Sequence, residues 1–145
     1  MSNINQFDEY VGRVFGILYE SFPVPTDLNI GDVLGVPDLY NSSGIPAEMD
    51  NEANIAVYSV IWLASVGYLK MTQNSSNEFF DLILTEKGLE VLKATPSSLT
   101  HQSLPLGKQI AVASKSGAKE ILRTLVNEAL SVGVKIAVRS VGFNA

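Results

Sequence analysis

The sequence predicts a mainly α chain of the α+β class: a helical domain with one small β-hairpin, then a linker, then a C-terminal helical extension. Three observations predict it. Phe7, Tyr10, Val11, Val14, Phe15, Leu18, Tyr19 and Phe22 recur at steps of three and four, the period of an amphipathic helix. Two short apolar runs, 68–73 and 79–84, flank the polar turn "NSSNE" at 74–78, which is the pattern of a hairpin. Further on, Leu122, Leu125, Val126, Ala129 and Leu130 form a second helical stripe opposite Glu120, Arg123, Asn127 and Glu128.

In chain order, the first helix ends at Pro23 and Pro25. Gly12 and Gly16 lie four residues apart on its less apolar side, where they either face solvent or admit a second backbone. Thr26 or Asp27 is placed to cap a short helix running to Leu34, which Gly35 and Pro37 stop. After the polar loop "PDLYNSSG", Pro46 suits the first turn of a third helix, and Glu48, Asp50 and Glu52 suit its dipole. That helix is expected to run to about Val66, with Gly67 closing it. Beyond the hairpin, Thr85 caps "EKGLEVLKA", whose Leu89 and Leu92 point inward, and Pro96 ends it. The expected organisation is therefore a domain over 1–95, a linker over 96–107 and an extension over 108–145.

The third helix carries a stretch of 17 uncharged residues between Glu52 and Lys70. A bilayer span is disfavoured, because Gly67 and the hairpin interrupt the run where a span would have to continue. Ile55, Tyr58, Trp62, Val66 and Leu69 fall on one side, while Val57, Val60, Ile61 and Ala64 occupy most of the rest. A helix apolar nearly all round is expected to be covered nearly all round. Charged residues make up 17% of the chain, against about a quarter in ordinary soluble domains. Together these predict that Tyr58, Ile61 and Trp62 form an interface with another chain, the alternative being that the helix is the core of a single chain.

Two periods compete in the tail. Val132, Val134, Ile136 and Val138 alternate as in a strand, yet Gly133, Val134, Ala137, Val138 and Val141 also extend the helical stripe. One long helix over 108–141 is expected, since an isolated strand pair there would lack a sheet to join. Its Leu122, Leu125, Val126 and Leu130 are the expected contacts to a second subunit. Charge is divided: residues 1–95 hold 13 acids and 4 bases, while residues 96–145 hold 2 acids and 6 bases. Lys115, Lys119 and Arg123 are spaced by four, as are Lys135 and Arg139. With Lys70 they are candidates for a nucleic-acid or other anionic surface; equally, the tail can lie on the acidic body of its own fold.

The order helix, short helix, longer helix, hairpin, helix resembles a winged helix-turn-helix domain over about residues 5–95. The residues that carry the resemblance are "VGYLKMTQNSSNEFFDLILTEKGLEVL", Val66–Leu92. The resemblance implies a third helix lying in a DNA major groove and a wing touching phosphate. The residues on those elements point the other way. The third helix has three acids and no base, and offers only Asn51, Asn54, Ser59 and Ser65 to a base edge. The wing turn supplies Asn74, Ser75, Ser76, Asn77 and Glu78, again without a base to neutralise phosphate.

Groups suited to catalysis are scarce. There is no cysteine and one histidine, His101, which leaves no thiolate chemistry, no triad and no histidine metal cluster. No glycine-rich loop follows a strand, and Glu48 and Glu52 read as solvated carboxylates at a helix start. No enzyme activity, cofactor or metal is expected. The N-terminal "MSNINQFDEY" has neither a basic nor an apolar leader segment, so a cytoplasmic protein is expected. The sequence is read as a non-enzymatic interaction module, binding itself or a larger protein, with a DNA-binding regulator as the alternative.

Overall fold

A computed structural model of the chain describes residues 2–36, 45–75, 77–95 and 104–142, with side chains to residue 139. The polar loop 37–44, Ser76 of the wing turn and most of the expected linker, with His101, lie outside the described residues. The chain is mainly α with a small antiparallel sheet, as its sequence predicts. In order, the elements are α1 (Asn3–Ser21), β1 (Thr26–Asn29), α2 (Ile30–Leu34), a 3-10 turn (Ala47–Met49), α3 (Asp50–Ser65), β2 (Leu69–Lys70), β3 (Gln73–Asn74), β4 (Glu78–Leu84), α4 (Glu86–Lys93), α5 (Leu106–Ser116) and α6 (Lys119–Gly142).

The helix buried on nearly every side is α1. Val11, Val14, Phe15 and Leu18 are fully enclosed, and α1 touches α2, α3, α4, α5, α6 and β4. Its two glycines explain how so many elements fit around it. A Cβ at Gly16 would lie 3.1 Å from Ala111 Cα of α5, and one at Gly12 would lie 2.5 Å from Leu122 Cδ1 of α6. The less apolar side of the first helix is thus a seat for the tail, and the missing Cβ at both positions lets the tail approach this closely.

The sheet corrects the expected helix from Asp27. Thr26–Asn29 is a strand because β4, at the centre of the sheet, has an edge for it, while β2 and β3 pair with its other edge. The helix start moves to Asn29, whose side chain accepts from Asp32 N at 3.0 Å while its own N–H donates to Asp32 Oδ2 at 2.9 Å. Along β4, the buried residues are Phe79, Leu82 and Leu84. The change from odd to even positions marks a bulge: Leu28 faces Phe79 but Thr26 faces Leu82. Asp81 absorbs it with φ 56°, its N–H held by Asp27 Oδ1 at 2.9 Å and its carboxylate by Thr72 Oγ1 at 3.0 Å.

Helix α4 begins as predicted, with Thr85 Oγ1 accepting from Gly88 N at 3.1 Å. Val91 and Leu92 are its core residues, and Leu89 is only half-buried. The tail is helical throughout 132–138, so the strand alternative is absent there. It is two helices, however, and not one. Gly117 adopts φ 76° and its N–H donates to Ala113 O, which ends α5 as a left-handed cap and lets α6 turn back across α1. No helix among the described residues is long and apolar enough to cross a membrane.

Candidate functional site: the outer face of α3

The apolar stretch of the third helix does two jobs. Ala56, Ser59, Val60 and Leu63 face the core, and the Ser59 hydroxyl is satisfied by donating to Ile55 O at 2.7 Å. The opposite face is open. Tyr58 is 65% exposed, Trp62 41%, and Ile61 is half-buried, so the described residues do not cover this helix on all sides. Beside them Ile4, also 65% exposed, and Phe7 project from α1. Between the two helices runs a groove of about 440 Å³ lined by Ile4, Phe7, Asn54, Ile55, Tyr58 and Trp62, among others.

An aromatic chain ties this face to the core. The Phe7 and Trp62 rings meet edge to face at 5.3 Å, Trp62 stacks on Tyr68 at 6.3 Å, and Tyr68 meets Phe15 at 5.7 Å. Burial raises the Tyr68 phenol above its ordinary value of 10.0. Its hydroxyl end abuts Gly133, where a side chain would collide with it. Lys87 Nζ sits 4.5 Å from the Tyr68 ring centroid and donates to Val66 O at 3.1 Å, placing a cation at the C-terminal end of α3. Glu48, Asp50 and Glu52 mark the opposite end. The helix therefore has carboxylates at its N-terminal end and a lysine at its C-terminal end, with an apolar outer face between.

The stripe expected to meet a second subunit sits elsewhere. Leu122, Leu125 and Val126 are buried in the chain's own core, with Leu122 over Gly12, and Leu130 packs half-buried against it. The physical reason is the glycine seat on α1, which brings α6 close enough for its apolar face to be enclosed within one chain. What α6 leaves exposed is Ile121, Val134 and Val138.

The candidate basic residues do not assemble into a ridge. Lys115 Nζ pairs with Glu20 at 2.9 Å, Lys119 Nζ with Glu9 at 3.7 Å, and Arg139 with Glu90 at 3.2 Å. Half of the tail's bases thus answer acids of residues 1–95, which accounts for the charge division. Arg123 is half-buried near Asp8, while Lys70 on β2 and Lys135 on α6 are exposed on separate elements.

A polar layer lies under α6. Asp8 and Glu9 are buried on α1; Asp8 Oδ2 accepts from Asn127 Nδ2 at 3.3 Å. Burial raises the Asp8 pKa above 3.8, and the Asn127 hydrogen bond and Arg123 charge only partly oppose it. Glu9 Oε1 has no hydrogen bond, since Lys119 stands too far off for one. Sequence reading missed this pair because Asp8 and Glu9 look like the ordinary acidic start of a solvated helix. The groove's contribution from Ile4 and Phe7 was also hidden, as only the third dimension brings α1 alongside α3.

No protein-family model matches this chain, and no match was found among curated proteins or solved structures.

Proposed function

We propose that this chain is a non-enzymatic protein-interaction module of winged-helix type that works in the cytoplasm and presents the outer face of α3 to another protein chain. The winged-helix reading rests on element order and sheet topology: α1, β1, α2 and α3 precede the β2–β4 hairpin, and β1 joins the sheet beside β4. One observation carries the function, namely the exposed Tyr58 and Trp62 flanking an apolar groove in a chain with few charges. Tyr and Trp in a concave, partly desolvated setting are the side chains that anchor protein interfaces. Lone exposed apolar residues need no explanation, but a contiguous set around a groove does.

DNA binding by the same helix is the competing reading, and the charges weigh against it. Glu48, Asp50 and Glu52 open α3, and Lys115, Lys119 and Arg139 are occupied with carboxylates. A duplex would meet repulsion where phosphate neutralisation is needed. Sedimentation velocity at micromolar concentration, alone and with an extract of the native cell, tests the proposal. The chain is expected to sediment as more than a monomer, and the Tyr58→Ser/Trp62→Ser variant as a folded monomer. Association unchanged in that variant, or retardation of random duplex at low salt by the native chain, overturns it.

A further inference from the structure

We infer that the occupant of the α3 face is a second copy of this chain, its α3 lying antiparallel to the first and crossing it at Tyr58. The inference rests on the interface reading above and specifies the partner. Three features of α3 point the same way. The outward residues Asn51, Asn54, Tyr58, Ile61 and Ser65 follow steps of three, four, three and four, the spacing of a helix-to-helix seam. They are exposed or half-buried, so the seam lacks a full covering among the described residues. With Ile55 and Trp62, which share this face, the positions are symmetric about Tyr58: a two-fold axis there sets Asn51 against Ser65, Asn54 against Trp62 and Ile55 against Ile61 of the other copy, as an isologous contact requires.

The charges choose the direction. In an antiparallel pair the Glu48, Asp50 and Glu52 end of each α3 meets the Lys87 end of the other, twice over by symmetry. A parallel pair would set the acids of both copies side by side. Opposed helix dipoles favour the same arrangement. Helix α3 has 16 residues, so the seam is about 24 Å long. With Ile4 and Phe7 at its border, this is a contact at the small end of specific interfaces, and self-association is looked for at micromolar concentration and above.

The chain has no cysteine, so introduced thiols report contacts without interference. Under mild oxidation at micromolar concentration, Tyr58→Cys is expected to cross-link to itself. A mixture of Asn51→Cys and Ser65→Cys chains is expected to give a mixed dimer, while neither variant cross-links alone. Cross-linking of Asn51→Cys to itself would mean a parallel pair and overturns the inference. No cross-link at any of these positions, in chains that still associate, also overturns it and leaves the α3 face to a different protein. The interface reading itself fails on different results, namely a Tyr58→Ser/Trp62→Ser variant that associates like the native chain or a native chain that retards random duplex, so the two failures are separable. A charge exchange provides the second measurement. Asp50→Lys/Glu52→Lys and Lys87→Glu should each weaken self-association by roughly 30-fold or more, and mixing the two should restore it. Weakening without restoration in the mixture, with both variants folded by circular dichroism, counts against the antiparallel pairing.

Discussion

The seat of α6 on α1 makes a prediction whose sign depends on background. At Gly12 an added methyl would stand 2.5 Å from Leu122 Cδ1 and 2.7 Å from Cγ, against about 3.5–4.0 Å for carbon atoms in contact. Leu122 is 2% exposed, so its side chain has little room to withdraw. Overpacking of this kind costs about 1–3 kcal/mol. Replacing a glycine inside a helix returns about 1 kcal/mol, so Gly12→Ala is expected to destabilise by about 0–2 kcal/mol. Leu122→Ala removes a buried side chain and should cost about 2–5 kcal/mol. In that background the methyl at residue 12 enters vacated space, the clash disappears, and Gly12→Ala should stabilise by about 1 kcal/mol. The four proteins are compared by urea unfolding followed by circular dichroism, with stability taken from the midpoint and slope. A coupling of about 1–3 kcal/mol is expected. If Gly12→Ala has the same effect in both backgrounds to within about 0.5 kcal/mol, Leu122 does not lie over Gly12 and the packing of the tail is wrong.

Other expectations follow from single contacts. Because burial raises the folded pKa of Asp8, the folded chain binds more protons than the unfolded one between 3.8 and that raised value, and this group's contribution to stability falls as pH rises through the window. Asp8→Asn keeps a partner for Asn127; it should be more stable than the native chain at pH 7, and the difference should shrink as pH falls toward 4 in urea titrations. Thr85→Ala removes the cap on α4 and the hydroxyl that donates to Gly67 O, at a cost of about 1–2 kcal/mol in thermal or urea unfolding. Lys115→Ala, by contrast, breaks a pair that is largely exposed and should change stability by no more than about 0.5 kcal/mol.

The elements with strong local signals were legible in the sequence. The three-and-four spacing from Phe7 to Phe22 gave α1, the polar turn gave the hairpin, and Thr85 gave the start of α4, since each depends on neighbours within a few residues. Thr26–Asn29 was not legible, because the strand exists only through pairing with β4, some fifty residues away. The same limit reversed the roles of the two most apolar helices. Sequence marks α3 as apolar on most sides and α1 as amphipathic, yet α1 is the enclosed one, because Gly12 and Gly16 admit α5 and α6 where larger residues would exclude them. Within the candidate site, Tyr58 and Trp62 stood out by composition, but Ile4, Phe7 and Lys87 join them only through packing between elements distant in the chain.

Trp62 is the single tryptophan, so its fluorescence reports the α3 face alone. Quenching by acrylamide, measured from nanomolar to about 100 micromolar protein, spans the affinities expected of a small interface. The indole should be accessible at the dilute end and become protected, with blue-shifted emission, as concentration rises. Quenching and emission that stay constant across the whole range, in a folded chain, would contradict an α3 face that binds a second copy.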